Sequence, residues 1–313
     1  MDVVLVGLPG SGKSAIARRL AARHGAVLVD TDAEVERVAG MAIPEIFERE
    51  GEAAFRRRDR DAVAAIGAPT TGPAIERVIA TGGGTVMDPR NRWRLYRGRS
   101  PVWLDIRPEA AAQRLRRSPF VRPLVQGRDP VGTVRALAAS RARFYGAATR
   151  VNAMLEAEGV LDAVDAAARA RQAGTGAVLL RAATRLGELI VGDGIAGTEI
   201  AAILGRLGAG RAVVVTEPRA WAAVSSRIAP ALDAAGLPLE MVELPSGEAA
   251  KTLATVEAGA RALARLRVDR SEPLVAVGGG ALTDAAGFLA ATYLRGVPVV
   301  HVPTTLAGQV DAA

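Results

Sequence analysis

Short apolar runs alternate with longer amphipathic segments over residues 1–170 of the chain. The apolar runs predict strands, and segments in which apolar residues recur every three or four positions predict helices. The predicted strands are Val3–Val6, Ala26–Val29, Val78–Thr81, Val102–Ile106 and Val151–Met154. The predicted helices are Ser14–Arg23, Ala33–Ala39, Ile43–Glu50, Glu52–Ile66, Pro89–Arg97, Pro108–Arg117 and Val131–Ala148. This alternation predicts an α/β fold with a central parallel sheet between helices.

A second α/β pattern follows. Residues 166–176 lose the apolar period and end in small side chains, which predicts a linker over 171–176 between domains at 1–170 and 177–313. The predicted strands of the second domain are Leu189–Val191, Ala212–Thr216, Leu239–Leu244, Leu274–Val277 and Val297–Val302. The glycine-rich loop of the first domain does not recur, so the second domain is not a repeat.

That glycine-rich loop, Gly-Leu-Pro-Gly-Ser-Gly-Lys-Ser over residues 7–14, lies between the first predicted strand and helix. It matches the pattern G-x-x-x-x-G-K-[ST], in which backbone N–H groups surround phosphate oxygens, the lysine adds a cation and the last hydroxyl binds Mg²⁺. The residues expected to bind nucleotide are Gly10, Ser11, Gly12, Lys13, Ser14 and Ala15. The alternative is a strand–helix turn that binds nothing.

Ligands of a parallel sheet bind beyond the carboxyl ends of its strands, so the residues after each strand are candidates. Asp30 and Asp32 follow the second predicted strand and offer carboxylates to Mg²⁺ and to a nucleophilic hydroxyl. The alternative for Asp30 is a helix N-cap. Gly82–Gly84 follow the third strand and allow a turn whose backbone approaches a ligand, with an ordinary loop as the alternative.

Three arginines are candidates for binding an anion, since a guanidinium matches a planar carboxylate. Arg56 lies in a basic cluster on a predicted helix, and Arg141 lies on the last helix of the first domain. Arg122 lies in a segment over 118–130, punctuated by Pro and Gly, that predicts a loop able to close over phosphates. For any one of them, a solvated helix face is the commoner explanation.

Composition limits the function classes. The net charge is +7, but the arginines are scattered and aromatic residues are only 4%, so an anionic small substrate is predicted and not nucleic acid. The absence of cysteine excludes disulfides and cysteine metal sites. No apolar stretch approaches the ~20 residues of a membrane span, and a cytoplasmic location is expected. The only lysines are Lys13 and Lys251, which suggests that a point charge is needed at both positions.

The motifs of residues 1–170 together resemble shikimate kinase. The resemblance is carried by the loop at 7–14, Asp30-Thr31-Asp32, Gly51-Glu52 with Phe55-Arg56, Gly82–Gly84, Val121-Arg122-Pro123-Leu124, and Arg141 with Tyr145. It implies a P-loop kinase fold and phosphoryl transfer from ATP to the 3-hydroxyl of shikimate. It also implies that Lys13 stabilises the transferring phosphoryl group, that Ser14 and Asp30 hold Mg²⁺, and that Arg122 reaches the phosphates from the lid.

The same resemblance implies the shikimate site. Asp32 would bind the substrate hydroxyls and take or orient the proton of the attacking one. Arg56 and Arg141 would clamp the carboxylate, and Gly82–Gly84 would line the pocket. One departure concerns Asp59, which stands where the family usually has a glutamate and would be a shorter partner for the substrate arginine.

The second domain resembles the N-terminal half of 3-dehydroquinate synthase, which predicts an incomplete, Rossmann-like domain that binds NAD⁺. The resemblance is carried by Gly278–Phe288, Ala291–Pro298, Val302–Leu306 and Gln309–Asp311. The residues it implies for NAD⁺ are Glu248, Lys251, Gly279, Gly280, Asp284, Thr304 and Thr305. Thr283 and Glu217 depart from the residues usual in that family.

That family also uses a divalent metal such as Zn²⁺ or Co²⁺, usually held by a glutamate and two histidines of a helical C-terminal domain. The histidines of this sequence are His24 and His301, and His301 is expected to be a packed strand residue. We therefore expect no dehydroquinate synthesis by this chain, and an oligomer through the second domain is possible. The alternatives for the first domain are a kinase of another polyol acid, such as gluconate, and a non-catalytic nucleotide-binding scaffold.

Overall fold

The chain folds around two parallel sheets in separate units. The computed structural model describes residues 1–117, 129–170, 177–183 and 187–310, and the chain divides into units at Met1–Asp193 and Gly194–Ala313. The strands of the first unit are β1 (Asp2–Val6), β2 (Val27–Asp30), β3 (Arg77–Ala80), β4 (Ser100–Asp105), β5 (Thr149–Asn152), β6 (Ala177–Ala183) and β7 (Glu188–Asp193). Its helices are α1 (Lys13–His24), α2 (Thr31–Ala39), α3 (Ile43–Ala65), α4 (Pro89–Tyr96), α5 (Pro108–Arg116), α6 (Pro130–Tyr145) and α7 (Ala157–Ala170).

The first sheet has the strand order β2-β3-β1-β4-β5, and all its strand pairs are parallel. Residues Val3–Val6 of the central strand are 0% exposed, because helices cover both faces of the sheet. The order places the carboxyl ends of β2, β3 and β1 side by side. The segments that follow these three strands, which carry the predicted chemistry, therefore converge at one edge.

The expected helix boundary at Gly51 is present inside α3. Gly51 has a φ of 79° and a ψ of 174°, so the segment consists of two helices that meet at a glycine.

The predicted α/β fold and its strands are confirmed, with small shifts of the strand ends. The prediction missed α7, although Val160, Leu161 and Val164 recur at helical spacing.

The prediction also missed β6, which pairs antiparallel with β7. Val178, Leu179 and Leu180 of β6 pack against the core of the first sheet, so this hairpin belongs to the first unit. The second domain predicted from the sequence, residues 177–313, includes both strands of this hairpin. The proposed linker at 171–176 lies outside the described residues, and the domain limits remain a prediction.

The second unit is built on a sheet of order β11-β10-β8-β9, again with parallel pairing. Its strands are β8 (Ala212–Thr216), β9 (Leu239–Glu243), β10 (Leu274–Gly278) and β11 (Val299–Pro303). Its helices are α8 (Ala196–Arg206), α9 (Pro218–Ala234), α10 (Leu253–Arg265), α11 (Gly280–Thr292) and α12 (Leu306–Val310). Residues of β10 are 0% exposed from Leu274 to Val277, as expected for a central strand covered on both faces.

Among the residues that the structure describes, no helix combines the length and the apolar character needed to cross a lipid bilayer.

A buried ionic cluster holds the amino-terminal edge of the first sheet, opposite the predicted site. Asp2 is 0% exposed, and its carboxylate accepts hydrogen bonds from Arg99 at 2.8 Å, Arg77 at 3.1 Å and Thr70 at 2.6 Å. Burial alone would raise the pKa of Asp2, but these hydrogen bonds outweigh it and lower the pKa. The carboxylate is therefore ionised and fully partnered.

We predict that Asp2→Asn lowers the free energy of unfolding of the first unit by about 3 kcal/mol, because it leaves the buried Arg99 guanidinium without a counter-charge. The measurement is urea unfolding in a Trp221→Phe background, where both remaining tryptophans, Trp93 and Trp103, lie in the first unit. Because the folded pKa is lowered, the difference from the parent is present above about pH 4 and shrinks as the pH falls below it. Asp61→Asn, at an exposed position of α3, is the matched control. An equal loss in both variants would contradict the prediction.

Candidate active site

The loop between β1 and α1, residues 7–12, is a tight backbone turn that depends on its glycines. Gly7, Gly10 and Gly12 have φ values of 145°, 82° and 93°, which side-chain-bearing residues rarely adopt. A Cβ on Gly7 would lie 2.7 Å from the carbonyl oxygen of Leu104, and one on Gly10 would lie 2.6 Å from that of Ala111. Glycine is therefore required both by the backbone conformation and by the contact with β4 and α5.

The side chain of Lys13 folds back onto this loop. Its side chain donates hydrogen bonds from Nζ to the carbonyl oxygens of Gly7 at 2.9 Å and Leu8 at 3.0 Å. Helix α1 begins at Lys13, and its N-cap, Gly12, has no side chain to occupy the N–H groups of the first turn. The ammonium and the helix N-terminus together place positive charge at the loop, which fits a phosphate group.

Asp30 caps α2, as the alternative explanation held. Its Oδ1 accepts hydrogen bonds from the backbone N–H groups of Asp32 at 3.1 Å and Ala33 at 3.4 Å. This cap turns the chain at the end of β2, so that Asp32 lies in the first turn of α2. The capping role of Asp30 and its proposed role at a metal involve the same carboxylate.

Each glycine of the Gly82–Gly84 turn lies against a charged side chain from a different helix. A Cβ on Gly82 would overlap Oδ1 of Asp32, on α2. One on Gly83 would lie 3.3 Å from Nη1 of Arg141, on α6, and one on Gly84 would lie 2.7 Å from Nη1 of Arg56, on α3. The turn thus brings together the three predicted substrate-binding side chains, and glycine at each position leaves room for them where they lie.

Arg141 is buried beside this turn. It is 4% exposed and donates from Nη1 to the carbonyl oxygen of Gly83 at 2.9 Å, an oxygen that also accepts from the hydroxyl of Tyr145. Within the described part of the chain, Arg141 forms no ion pair with a carboxylate. A buried guanidinium without a counter-charge is costly, so this position favours an anionic ligand. Burial also raises the pKa of Tyr145 to about 12, so its hydroxyl stays a donor.

These residues surround an open cavity of about 730 Å³, within the range of small-molecule sites. The predicted kinase residues in its wall are Gly10, Gly12, Lys13, Ser14, Ala15, Asp30, Asp32, Arg56, Gly82, Gly83, Gly84 and Arg141. Ser11 does not line the cavity and is 2% exposed. Arg122 lies at 118–128, outside the described residues.

Two details differ from what the sequence suggested. Arg56 pairs with Glu52, on the same helix, at 2.8 Å, whereas Asp59 accepts hydrogen bonds from Thr85 and Asn91. Asp59 is therefore not a shorter partner for Arg56.

Sequence reasoning also missed Arg114, in the cavity wall, which donates to the carbonyl oxygen of Ala153 at 3.2 Å. Nothing in the sequence separates this arginine from the others near the end of α5.

In the second unit, four of the predicted NAD⁺ residues follow the carboxyl ends of β10 and β11, namely Gly279, Gly280, Thr304 and Thr305. Helix α11 begins directly after Gly279, and a Cβ on that glycine would lie 3.2 Å from the Thr305 side chain. The backbone N–H of Thr304 donates to the carbonyl oxygen of Gly278 at 2.8 Å. Thr283, one of the departures, is 1% exposed and donates to the carbonyl oxygen of Gly280. It therefore packs inward.

Lys251 links the turn after β9 to α11. Its Nζ lies 2.9 Å from Asp284 and 3.7 Å from Glu248, and the hydrogen bond that Lys251 donates to Asp284 raises the pKa of Lys251. His301 lies on β11, where burial lowers its pKa and Nδ1 has no hydrogen-bond partner among the described residues. In residues 1–117, 129–170, 177–183 and 187–310, no three side chains of His, Asp or Glu are grouped so that they could hold a metal ion.

A parallel sheet with a phosphate-binding loop after its central strand, beside a pocket of paired arginines and an aspartate, defines a P-loop kinase of small molecules. The family model for shikimate kinase matches residues 9–162. A shikimate kinase from Symbiobacterium thermophilum is 45% identical over 165 residues, which is 52% of this chain and 92% of that protein. The chain belongs to the shikimate kinase family.

A second family model, described as the N-terminal part of 3-dehydroquinate synthase, matches residues 241–313. A bifunctional shikimate kinase/3-dehydroquinate synthase from Thermotoga maritima is 31% identical over 317 residues, and the match spans 100% of this chain and 57% of that protein. The resemblance of the two halves to these two families is thereby confirmed.

One solved structure to which the chain is similar is shikimate kinase from Acinetobacter baumannii in complex with shikimate. It has 32% sequence identity and a TM-score of 0.47, and the match covers 53% of this chain and 89% of that one.

We predict that Gly82→Ala lowers turnover about 100-fold, because the new Cβ displaces the Asp32 carboxylate from the pocket. Nucleotide affinity should be unchanged, since the loop at 7–14 is not altered. Both quantities follow from steady-state kinetics and a nucleotide-binding titration. Gly159→Ala in α7, where the nearest atom lies 3.6 Å away, is the control and should behave as the parent. Parental turnover in Gly82→Ala would show that the turn tolerates a side chain.

Proposed function

We propose that the first unit transfers the terminal phosphoryl group of ATP to the 3-hydroxyl of shikimate. The observation that carries this proposal is the buried Arg141 guanidinium, which has no carboxylate partner in the described residues and lies at the turn that Arg56 and Asp32 also approach. Two guanidinium groups and a carboxylate at one turn suit a ligand that has both a carboxylate and hydroxyl groups. The shikimate bound by the Acinetobacter baumannii kinase supports this choice of ligand.

In the proposed reaction, Asp32 accepts the proton of the attacking hydroxyl while the oxygen–phosphorus bond forms and ADP leaves. Lys13 compensates the negative charge on the phosphates, and the loop N–H groups hold their oxygens. Arg56 and Arg141 bind the substrate carboxylate and orient the ring so that a single hydroxyl reaches the phosphorus. Ser14 and Asp30 would hold Mg²⁺, which would neutralise charge on the phosphates. Arg122 is proposed to reach the phosphates.

We propose further that the second unit binds NAD⁺. The N–H groups at the start of α11 would hold the pyrophosphate, with Gly279 and Gly280 leaving room for its close approach. Glu248, Lys251, Asp284, Thr304 and Thr305 would contact the ribose and nicotinamide parts. The inability of this chain to form dehydroquinate remains a prediction from its sequence.

The two lysines allow a reciprocal test of the two proposals. Lys13→Ala should reduce ADP release with shikimate at least about 100-fold, since it removes a preorganised charge from the transferring phosphate. Lys251→Ala should leave this activity unchanged. The product is identified by NMR, with phosphate expected on the 3-hydroxyl. Faster ADP release with gluconate would favour the other polyol acid, and a parent without turnover would favour the scaffold.

The converse holds for NAD⁺. Lys251→Ala should weaken NAD⁺ binding roughly tenfold, because it removes a charge-assisted hydrogen bond. Lys13→Ala should bind NAD⁺ as the parent does. Isothermal titration of each full-length variant measures both affinities. If the parent shows no binding of NAD⁺, or if both variants lose it equally, the assignment of Lys251 is wrong.

A further inference from the structure

Asp59 is a buried carboxylate that the proposed reaction does not use. It is 1% exposed, and its two oxygens accept hydrogen bonds from different elements. Oδ1 accepts from the hydroxyl of Thr85 at 2.7 Å, and Oδ2 accepts from the side-chain amide of Asn91 at 3.2 Å. The same amide donates to the backbone carbonyl of Thr85 at 3.1 Å. Asp59 therefore connects α3 to α4 and to the residue that follows Gly84.

Thr85 links this carboxylate to the substrate turn. Its backbone N–H donates to the carbonyl oxygen of Gly82 at 3.1 Å, which closes the turn. Its hydroxyl oxygen lies 2.9 Å from the position that a Cβ on Gly82 would take, next to Asp32. A shift of the Thr85 side chain would therefore disturb both the turn and the space in which the Asp32 carboxylate lies.

We propose that Asp59 is a positioning residue of the kinase, whose ionised carboxylate holds the Gly82–Gly84 turn through Thr85 and Asn91 and thereby sets the affinity for the carboxylated substrate. This inference rests on the proposed function of the first unit. It assigns Asp59 no contact with the substrate, because the carboxylate bonds to Thr85 and Asn91 and not to Arg56.

The hydrogen-bond pattern requires the ionised form. An ionised carboxylate only accepts, so it satisfies the Thr85 hydroxyl and the Asn91 amide at the same time. After protonation, one carboxyl oxygen carries a hydrogen of its own. Either the Thr85 hydroxyl must then reverse its direction or the Asn91 amide loses its acceptor. Either change alters the side-chain contacts that hold Thr85, whose backbone N–H closes the turn.

The proton affinity of Asp59 places this change in an accessible pH range. Burial raises the pKa of Asp59 to about 6, the hydrogen bond from Thr85 opposes that rise, and the nearby charge of Asp32 adds to it. The charged groups that face Asp59 are Asp32 on α2, Arg56 on α3 and Asp88 at the start of α4. Two of these three groups are negative, so the neighbouring charges taken together oppose ionisation of Asp59.

Stability and binding should therefore respond to Asp59 in opposite directions. Because its folded pKa lies above the unfolded value, the folded state holds the proton more tightly, and stability falls as the pH rises from about 4 to about 6. If the carboxylate were purely structural, replacing it by a neutral group would lower both the stability of the protein and its affinity for the substrate. If the carboxylate is retained in order to position the substrate site, the same replacement lowers the affinity but raises the stability.

The test is the affinity for shikimate without nucleotide, measured by isothermal titration between pH 5 and pH 8 on the full chain. A carboxylic acid ligand with an ordinary pKa of about 4 does not titrate in this range. We expect the parent to bind roughly tenfold more weakly at pH 5 than at pH 7, since one pH unit below the pKa leaves about a tenth of Asp59 ionised. Asp59→Asn should bind weakly at every pH, without that dependence, and should unfold at higher urea concentration at pH 7.5.

Thr85→Val provides a second variant that keeps the carboxylate and removes the hydroxyl. It should weaken shikimate binding, and its combination with Asp59→Asn should weaken binding less than the product of the two single effects, because both act through one contact. Asp61→Asn, exposed on the same helix, should match the parent in affinity, stability and pH profile. Any other titrating group of the chain is unchanged in Asp59→Asn, so the difference between the pH profiles of the parent and this variant reports Asp59 alone.

The outcomes separate this inference from the proposed function. If the parent binds no shikimate at any pH, the proposed substrate is wrong. If the parent binds shikimate and Asp59→Asn shares its affinity and pH profile, Asp59 does not position the turn. If Asp59→Asn loses stability together with affinity, the carboxylate has a structural role only, which also overturns the inference.

Discussion

The absence of side chains at Gly82–Gly84 is the constraint on which the first unit depends. Charged groups from α2, α6 and α3 approach these three glycines so closely that a Cβ at any of them would displace a neighbour. The nucleotide loop takes part as well, because a Cβ on Gly83 would lie 2.9 Å from the ring of Pro9. The relative positions of the nucleotide loop, the acidic residue and the two arginines are therefore fixed by one turn of backbone.

The buried charge of Arg141 is held by a group that leaves it available to a ligand. Arg141 donates to the backbone carbonyl oxygen of Gly83, which orients a cation without cancelling its charge as a carboxylate would. Asp2 and Arg99, at the opposite edge of the same sheet, show the contrasting arrangement, in which carboxylate and guanidinium are buried as a pair. The first arrangement suits binding of an anion and the second suits stability.

Much of this organisation could be predicted because its signals are local. A glycine-rich loop between a strand and a helix, and charged residues directly after strands, can be recognised without knowing any distance. The pairing of Asp59 with Thr85 and Asn91 could not be predicted, since it joins α3 to residues more than 20 positions away, and many hydroxyl and amide groups lie at such separations. The hairpin of β6 and β7 was assigned to the second domain because its position after the small residues of 166–176 suggested a new unit. In the structure, β6 packs against the core of the first sheet, a long-range contact that the local sequence pattern does not reveal.

The same three-glycine string serves different purposes in the two units. In the first, Gly82–Gly84 lead into a short 3₁₀ turn, Thr85–Met87, before α4 begins, and the glycines make room for side chains of other helices. In the second, Gly279 is itself the N-cap of α11, and its nearest neighbour is a methyl group of Thr305 and not a charge. The first turn therefore brings charged side chains together at the wall of the cavity. The second begins a helix directly at the glycines, and the proposed pyrophosphate site uses the N–H groups at that helix start. The sequence after the glycines decides between these outcomes, because Asp88-Pro89 delays the helix in the first unit and Ala281-Leu282 continues it at once in the second.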